Sequence, residues 1–70
     1  MKLFAERLRK LRSNSNMSQG ELSSRLNLST KTIVKWESAL SYPNCVNLYN
    51  LCKLLRCSSD YLLGVTNENK

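Results

Sequence analysis

The chain has 70 residues, which is enough for one small domain with a compact core. Its net charge of +6 and its pI near 9.6 favour an anionic partner without identifying one, because such a charge also occurs in proteins with no nucleic-acid role. The sequence has no histidine, no paired acidic residues, no signal-like start and no apolar run of the roughly 18 residues that a membrane span needs, so we expect a cytoplasmic protein that is neither an enzyme nor embedded in a membrane.

The first predicted element is an amphipathic helix. Phe4, Leu8 and Leu11 follow the spacing i, i+4, i+7, which places them on one face of a helix over residues 2–13. The charged side chains expected on its solvent side are those of Glu6, Arg7, Arg9 and Lys10. The polar residues that follow are expected to end this helix.

Capping residues predict the next two helices. Ser18 precedes Glu21 by three residues, which is the pattern of a capping box and predicts a helix over residues 18–26. Ser29 is a suitable N-cap for a third helix over residues 30–38.

Two further helices are predicted in the second half of the chain. Asn44 begins a fourth helix, and its expected core positions are Cys45, Leu48, Leu51, Cys52 and Leu55. Ser58 caps a last short helix that Gly64 ends. We therefore predict an all-α domain of five helices in residues 1–64, followed by a flexible tail in residues 65–70.

The three cysteines match neither a metal site nor a disulfide pair. Cys45, Cys52 and Cys57 have no histidine and no close cysteine pair beside them. Cys45 and Cys52 are two helical turns apart, about 10 Å, which is too far for a disulfide. We therefore expect no metal and no other cofactor, and interpret the three as small apolar core residues in a reducing compartment.

The most informative pattern is Gln19-x3-Ser23-x3-Asn27-x5-Ile33. A small side chain at Ser23 lets two helices approach closely, and Asn27 tolerates the left-handed backbone that a short connection needs. Ile33 then anchors the second helix of the pair on the core. The spacing predicts a helix-turn-helix formed by the second and third helices, which makes DNA the leading partner.

The third helix is predicted to have an inward side and a cationic side. On a helical wheel Ile33, Trp36 and Glu37 fall together, and the outward side consists of Lys31, Lys35 and Ser38, flanked by Thr30 and Val34. In a major groove, lysine can bind guanine O6 and N7, and threonine can pack on a thymine methyl group. Spacing alone also fits an ordinary solvated helix face.

Residues 4–64 resemble the phage Cro/repressor-type family of helix-turn-helix regulators. The shared features are the motif above, Trp36-Glu37, Pro43 and the run Asp60-Tyr61-Leu62-Leu63-Gly64. The chain departs from the family where Ser23 replaces the more usual alanine and where Ala39 and Arg56 replace turn residues such as glycine. At Ala39 we expect either a longer third helix or a strained turn.

The resemblance implies roles for particular residues. Base-reading positions would be Ser29, Thr30, Lys31, Val34 and Lys35, and phosphate-binding positions Arg12, Gln19 and Ser38. Arg12 and Glu37 would form an ion pair between the first and third helices. The contact between two copies would involve Arg56, Ser59 and Leu62.

The function that we favour is a sequence-specific double-stranded DNA-binding transcriptional regulator of the repressor type. It would act as a homodimer, weak without DNA, on a two-fold-related operator read by the third helix. One alternative is the DNA-binding antitoxin of a toxin–antitoxin pair. Another is a protein-interaction module that has lost DNA binding, which the outward Lys31 and Lys35 disfavour. The operator sequence and the direction of regulation stay open.

Overall fold

A computed structural model describes residues 2–68 of the chain. The helices in this range are α1 Lys2–Asn14, α2 Gln19–Arg25, α3 Thr30–Glu37, α4 Cys45–Leu55 and α5 Ser59–Leu63, and the range contains no strand. The predicted all-α class with five helices is therefore confirmed. Helix α2 packs on α3, while α1 contacts both α3 and α5, and α4 contacts α5.

Side-chain caps begin each helix from α2 to α5. The caps are Ser18, Ser29, Asn44 and Ser58, and each accepts a hydrogen bond from the backbone N–H three residues later. Such a bond satisfies one of the N–H groups left free at a helix start, which explains why the predicted starts agree with the structure. The capping box at Ser18 is only half formed, because the Glu21 carboxylate accepts from Arg25 at 3.1 Å.

One core joins all five helices. Its buried side chains are Phe4, Leu8, Met17, Leu22, Ile33, Trp36, Leu51, Leu55, Cys57 and Leu62. Met17 and Leu22 bracket the start of α2 as the hydrophobic staple that accompanies such caps. No buried side-chain nitrogen or oxygen within residues 2–68 lacks a hydrogen-bond partner.

The three cysteines lie in different environments. Cys57 is buried and Cys52 half-buried, but Cys45 is exposed, so the core assignment of Cys45 was wrong. Cys45 is the first residue of α4, and the first turn of that helix extends beyond the core, as the 66 % exposure of Val46 also indicates. Burial, together with the neighbouring Cys52 thiol, raises the pKa of Cys57 to about 12.

Arg7 is the main departure from the predicted solvent face of α1. Its guanidinium lies 4.1 Å from the centre of the Tyr61 ring and donates to the carbonyl of Tyr61. It also donates to Thr66 O at 2.7 Å and to Asn67 Oδ1 at 2.8 Å. The expected tail is therefore fastened to α1 at its start, while its last two residues, 69 and 70, lie outside the described residues.

An ion pair holds α1 against α3. Arg12 Nε lies 2.6 Å from Glu37 Oε2, and Arg12 NH2 lies 3.0 Å from Glu37 Oε1. The Glu37 side chain is only 2 % exposed, and the Arg12 side chain is 18 % exposed. The hydrogen bond to Glu37 raises the pKa of Arg12 against an opposing desolvation effect.

Left-handed residues other than glycine follow the ends of four helices, α1 to α4. They are Asn16, Asn27, Ala39 and Arg56, with φ between 54° and 61°. Helix α3 ends at Glu37, so of the two outcomes expected at Ala39 the strained turn is the correct one. Leu40 N donates to Lys35 O at 2.9 Å across this turn, which fixes the conformation despite its backbone cost.

We predict that breaking the Arg12–Glu37 pair destabilises the domain in a coupled way. Arg12→Ala leaves the buried Glu37 carboxylate without its cation and should cost about 3–5 kcal/mol of unfolding free energy. The double variant with Glu37→Ala should cost much less than the sum of the two single changes, because no charge is then left unpaired. Urea denaturation of the unchanged protein, the two single variants and the double variant gives the coupling energy.

The exposed Glu21–Arg25 pair is the matched control for this cycle. Its side chains are 45 % and 55 % exposed, so its coupling should be no more than about 0.5 kcal/mol. Equal coupling energies in the two cycles would contradict a special role for the Arg12–Glu37 pair.

We also predict that Ala39→Gly raises stability. Glycine removes a left-handed backbone cost of about 1–2 kcal/mol, of which roughly half is offset by its greater freedom in the unfolded chain. Ser24→Gly, at an exposed position within α2, should instead lower stability by about 0.5 kcal/mol. Thermal denaturation followed by circular dichroism distinguishes the two variants. A loss of stability in both would show that the Ala39 turn is not strained.

Candidate nucleic-acid interface

The two sides of α3 differ in burial as the helical wheel predicted. Ile33, Trp36 and Glu37 are buried, with Ile33 fully inaccessible. The exposed side chains on the other side are those of Lys31, Val34, Lys35 and Ser38. The helix therefore presents two cations and one branched apolar side chain to solvent, on a scaffold that fixes its other side.

The helix-turn-helix connection has the geometry that its residue types favour. Asn27 adopts the left-handed conformation, with φ of 57°. Ser23 is buried where α2 approaches α3, and its hydroxyl donates to Gly20 O at 2.8 Å. Ser23 Oγ also lies 3.2 Å from Thr30 Oγ1, so a hydrogen bond joins the two helices.

Two of the predicted base-reading hydroxyls are engaged within the protein. Ser29 Oγ caps α3 by accepting from Thr32 N, and it lies 3.0 Å from Thr32 Oγ1. Thr30 Oγ1 is hydrogen-bonded to Ser23. A hydroxyl has one donor and two acceptor sites, so each of these two exposed side chains keeps at least one hydrogen-bonding site for a base edge. Base contacts by Ser29 and Thr30 stay predictions.

The predicted phosphate-binding residues lie around both ends of the helix pair. Gln19 Nε2 donates to Glu37 Oε1 at 3.1 Å, which uses one of its two N–H bonds. Arg12 donates to Glu37 and, at 2.8 Å, to Met17 O, so most of its guanidinium is committed to the fold. Ser38 is exposed at the end of α3. Phosphate contacts by these three residues stay predictions.

Two cations of α1 lie near Ser38, and of these Lys2 was not selected from the sequence. Lys2 and Arg9 line a surface depression of about 270 Å³ together with Ser38, while Glu6 contributes an acidic group to the same rim. The packing of α1 on α3 brings them there, and no local pattern reports that contact. Their separation by seven residues, two turns on one helix face, is the signal that could have identified them as a pair.

The residues predicted to join two copies are only partly accessible. Arg56 and Ser59 are exposed. Leu62 is fully buried in the core of its own chain, so we remove it from the predicted contact surface. Leu62 is buried because it lies on the side of the five-residue helix α5 that faces the core.

Within residues 2–68, no group of three or more histidine, cysteine or acidic side chains is placed to hold a metal ion. None of the helices in that range combines the length and apolar character needed to cross a membrane.

Comparisons with known proteins agree on one family. A family model described as a helix-turn-helix domain matches residues 5–68. The chain is 38 % identical over 61 residues to the HTH-type transcriptional activator BcrR of Enterococcus faecalis, covering 87 % of this chain and 30 % of that protein. It is 39 % identical over 61 residues to repressor protein C2 of Salmonella phage P22, covering 87 % of this chain and 28 % of that protein. The chain thus spans about three tenths of the length of these two relatives.

Solved structures agree with this assignment. The crystal structure of the P22 c2 repressor in complex with a synthetic operator superposes with a TM-score of 0.82 at 37 % identity, covering 89 % of this chain and 94 % of that chain. The solution structure of the DNA-binding domain of the same repressor gives 0.81 at 36 % identity, covering 96 % and 91 %. Fold, motif geometry and relatives together show that the chain belongs to the phage-repressor type of helix-turn-helix domains.

Proposed function

We propose that the chain is a sequence-specific double-stranded DNA-binding transcriptional regulator that places α3 in the major groove. The observation that carries this proposal is the exposed pair Lys31 and Lys35 on a helix whose opposite side is buried. The relationship to the P22 repressor, which was crystallised with an operator, supports the same partner for this chain.

The dimensions of α3 suit this mode of binding. An α-helix with its side chains is about 10–12 Å in diameter, and the major groove is about 12 Å wide, so the groove can admit the 8 residues of α3. Ile33 and Trp36 hold the helix on the core, so binding requires little rearrangement of the backbone. Phosphates along the groove would meet Gln19 on one side and Lys2, Arg9 and Ser38 on the other.

We assign a repressing action to the chain because repression needs only occupation of a promoter, whereas activation needs a further contact with the transcription machinery. One relative is an activator and the other a repressor, and most of the length of each lies outside the matched region. The direction of regulation is therefore a proposal about this chain alone.

Two copies on a two-fold-related operator would provide the specificity that a domain this small lacks by itself. Arg56 and Ser59 are exposed and are the residues that we propose at the contact. Both are polar, and Arg56 carries a charge that the second copy repeats. The dimer should therefore be weak until DNA holds two copies side by side.

Binding to a duplex should weaken steeply with salt. Each phosphate neutralised releases counterions, which adds about −0.9 to the slope of log affinity against log salt concentration. Removing one phosphate-facing cation from each copy, as in Arg9→Ala, should make the slope less steep by about 1 per bound copy. Fluorescence anisotropy at several salt concentrations measures the slope.

Lys53→Ala is the matched control for the salt experiment. It removes the same unit of charge from α4, where Lys53 lies over the Tyr49 ring, outside the proposed interface. Its slope should stay close to that of the unchanged protein. Affinity that does not vary with salt, or no binding to any duplex, would refute the proposed function.

Sites selected from a random duplex pool should be inverted repeats with half-site centres about 10 to 10.5 base pairs apart, because a two-fold dimer presents its two α3 helices to successive major grooves. Inserting about five base pairs moves the half-sites to opposite faces and should abolish cooperative binding. Without DNA, ultracentrifugation should show mostly monomer. Undiminished cooperativity after the insertion would contradict a rigid two-fold arrangement.

A further inference from the structure

We propose that Cys52 and Cys57 are a thiol pair that exchanges with small disulfides and closes into an intramolecular disulfide at the end of α4. The substrate class is a low-molecular-weight disulfide, and oxidised glutathione is the probe for it. The thiol chemistry is independent of the proposed DNA-binding function, whereas its effect on the contact between two copies rests on that function.

The backbone at the end of α4 brings the two cysteines together. Arg56 adopts the left-handed conformation, with φ of 54°, and Cys57 N donates to Cys52 O at 3.1 Å. This is the six-residue bond of a Schellman-type helix end, in which the side chains of the first and last residues commonly pack on each other. With standard bond lengths, the bond limits the two Cα atoms to at most about 7 Å apart. A disulfide needs a separation of about 4.4–6.8 Å, so the backbone places the pair at disulfide range.

The two thiols contact each other but differ in their access to solvent. A hydrogen bond joins the Cys52 and Cys57 side chains. Cys57 is buried, whereas Cys52 is half-buried and lines an open groove of about 220 Å³ together with Cys45 and Ser59. A small disulfide can therefore reach Cys52 first.

The hydrogen bond also favours Cys52 as the attacking thiol. Burial raises the pKa of Cys52, but the hydrogen bond from Cys57 opposes this increase because it stabilises the Cys52 thiolate. Burial, the Cys52 charge and the same hydrogen bond together raise the pKa of Cys57 to about 12. Since the thiolate is the nucleophile, Cys52 reacts before Cys57.

Two exchange steps complete the reaction. Cys52 loses its proton, and its sulfur attacks one sulfur of oxidised glutathione, which breaks that S–S bond and releases one glutathione thiolate. The Cys52 charge that raised the pKa of Cys57 is then gone. Cys57 loses its proton and attacks the Cys52 sulfur, which forms the Cys52–Cys57 bond and releases the second glutathione. The protein loses two electrons and two protons, and the small disulfide gains them to become two thiols.

The disulfide would act on the proposed contact between copies. Arg56 lies inside the loop that the disulfide closes, and Ser59 shares the groove with Cys52. The bond removes alternative conformations of a turn in which a non-glycine residue is left-handed, so less ordering is needed when two copies meet. Oxidation should therefore strengthen cooperative operator binding about 2- to 10-fold. Binding to a single half-site should not change, because α3 packs on α1 and α2.

The exchange is tested in a Cys45→Ser background, because exposed Cys45 would form an adduct of its own. Incubation of the folded protein with an excess of oxidised glutathione should give a monomer that is lighter by two hydrogen atoms and carries no glutathione. Trypsin cleaves after Lys53 and Arg56, between the two cysteines, so the bond appears as one pair of linked peptides. A protein that stays fully reduced, or that forms disulfides only between copies, would overturn the proposal.

Single variants in this background assign the role of each thiol. Cys57→Ala should accumulate one glutathione on Cys52, because no second thiol displaces it. Cys52→Ala should accumulate at least about 10-fold less adduct, because buried Cys57 is hard to reach. Equal adducts in the two variants would overturn the order of attack. Circular dichroism melts verify that both variants are folded.

A comparison of the folded and unfolded chains requires no change at either cysteine of the pair. In one glutathione buffer, the ratio of disulfide to dithiol should be about 10-fold higher in the native protein than in urea, because the unfolded chain must first close the loop. An equal or lower ratio in the native protein would show that the fold does not prepare the pair. The matched control is Cys57→Ala with Cys45 retained. It should form no Cys45–Cys52 bond when native, because two turns of α4 keep these residues about 10 Å apart.

Operator binding separates the possible failures. If the oxidised and reduced proteins bind a two-half-site duplex with equal cooperativity, the effect on the contact between copies is overturned. If no duplex is bound, the proposed function fails and that effect fails with it. The mass and glutathione measurements use no DNA, so they decide the thiol pair by themselves.

Discussion

The buried carboxylate of Glu37 is the constraint on which the arrangement of this domain depends. It lies at the last residue of α3 and accepts hydrogen bonds from Arg12 on α1 and Gln19 on α2. Three helices therefore meet at one charged group that is almost inaccessible to solvent. A buried ion pair of this kind adds little net stability, but losing one partner is costly, so we expect it to disfavour other relative placements of the helices. The observed placement turns Lys31 and Lys35 outward.

Ser23 links the two helices of the helix-turn-helix. Alanine, the more usual residue at this position, would provide close helix approach without a hydroxyl. Ser23 adds a hydrogen bond to Thr30 that joins α2 to α3. Since α3 is held by this bond as well as by the core, the small side chain contributes to the fixed placement of the helix that we propose to enter the major groove.

Local signals predicted most of the fold, and long-range contacts account for what was missed. The caps at Ser18 and Ser58 and the left-handed Asn27 depend on neighbouring backbone, so their residue types are informative without a structure. Arg7 looked like a solvent-facing charge because its partners, Tyr61 and Thr66, lie more than fifty residues away. The helical wheel of α3 correctly separated the inward from the outward residues. The hydrogen bonds that Ser29 and Thr30 form within the protein could be identified only from atomic distances.

The most direct measurement of the central claim is dimethyl sulfate footprinting on a selected duplex, because the reagent methylates guanine N7 in the major groove and adenine N3 in the minor groove. If α3 is held outward and enters the major groove, the protein should protect guanine N7 within each half-site and leave adenine N3 reactive. Protection of adenine N3 with guanine N7 still reactive would contradict the account, because the lysine-bearing face of α3 would then not lie in the major groove.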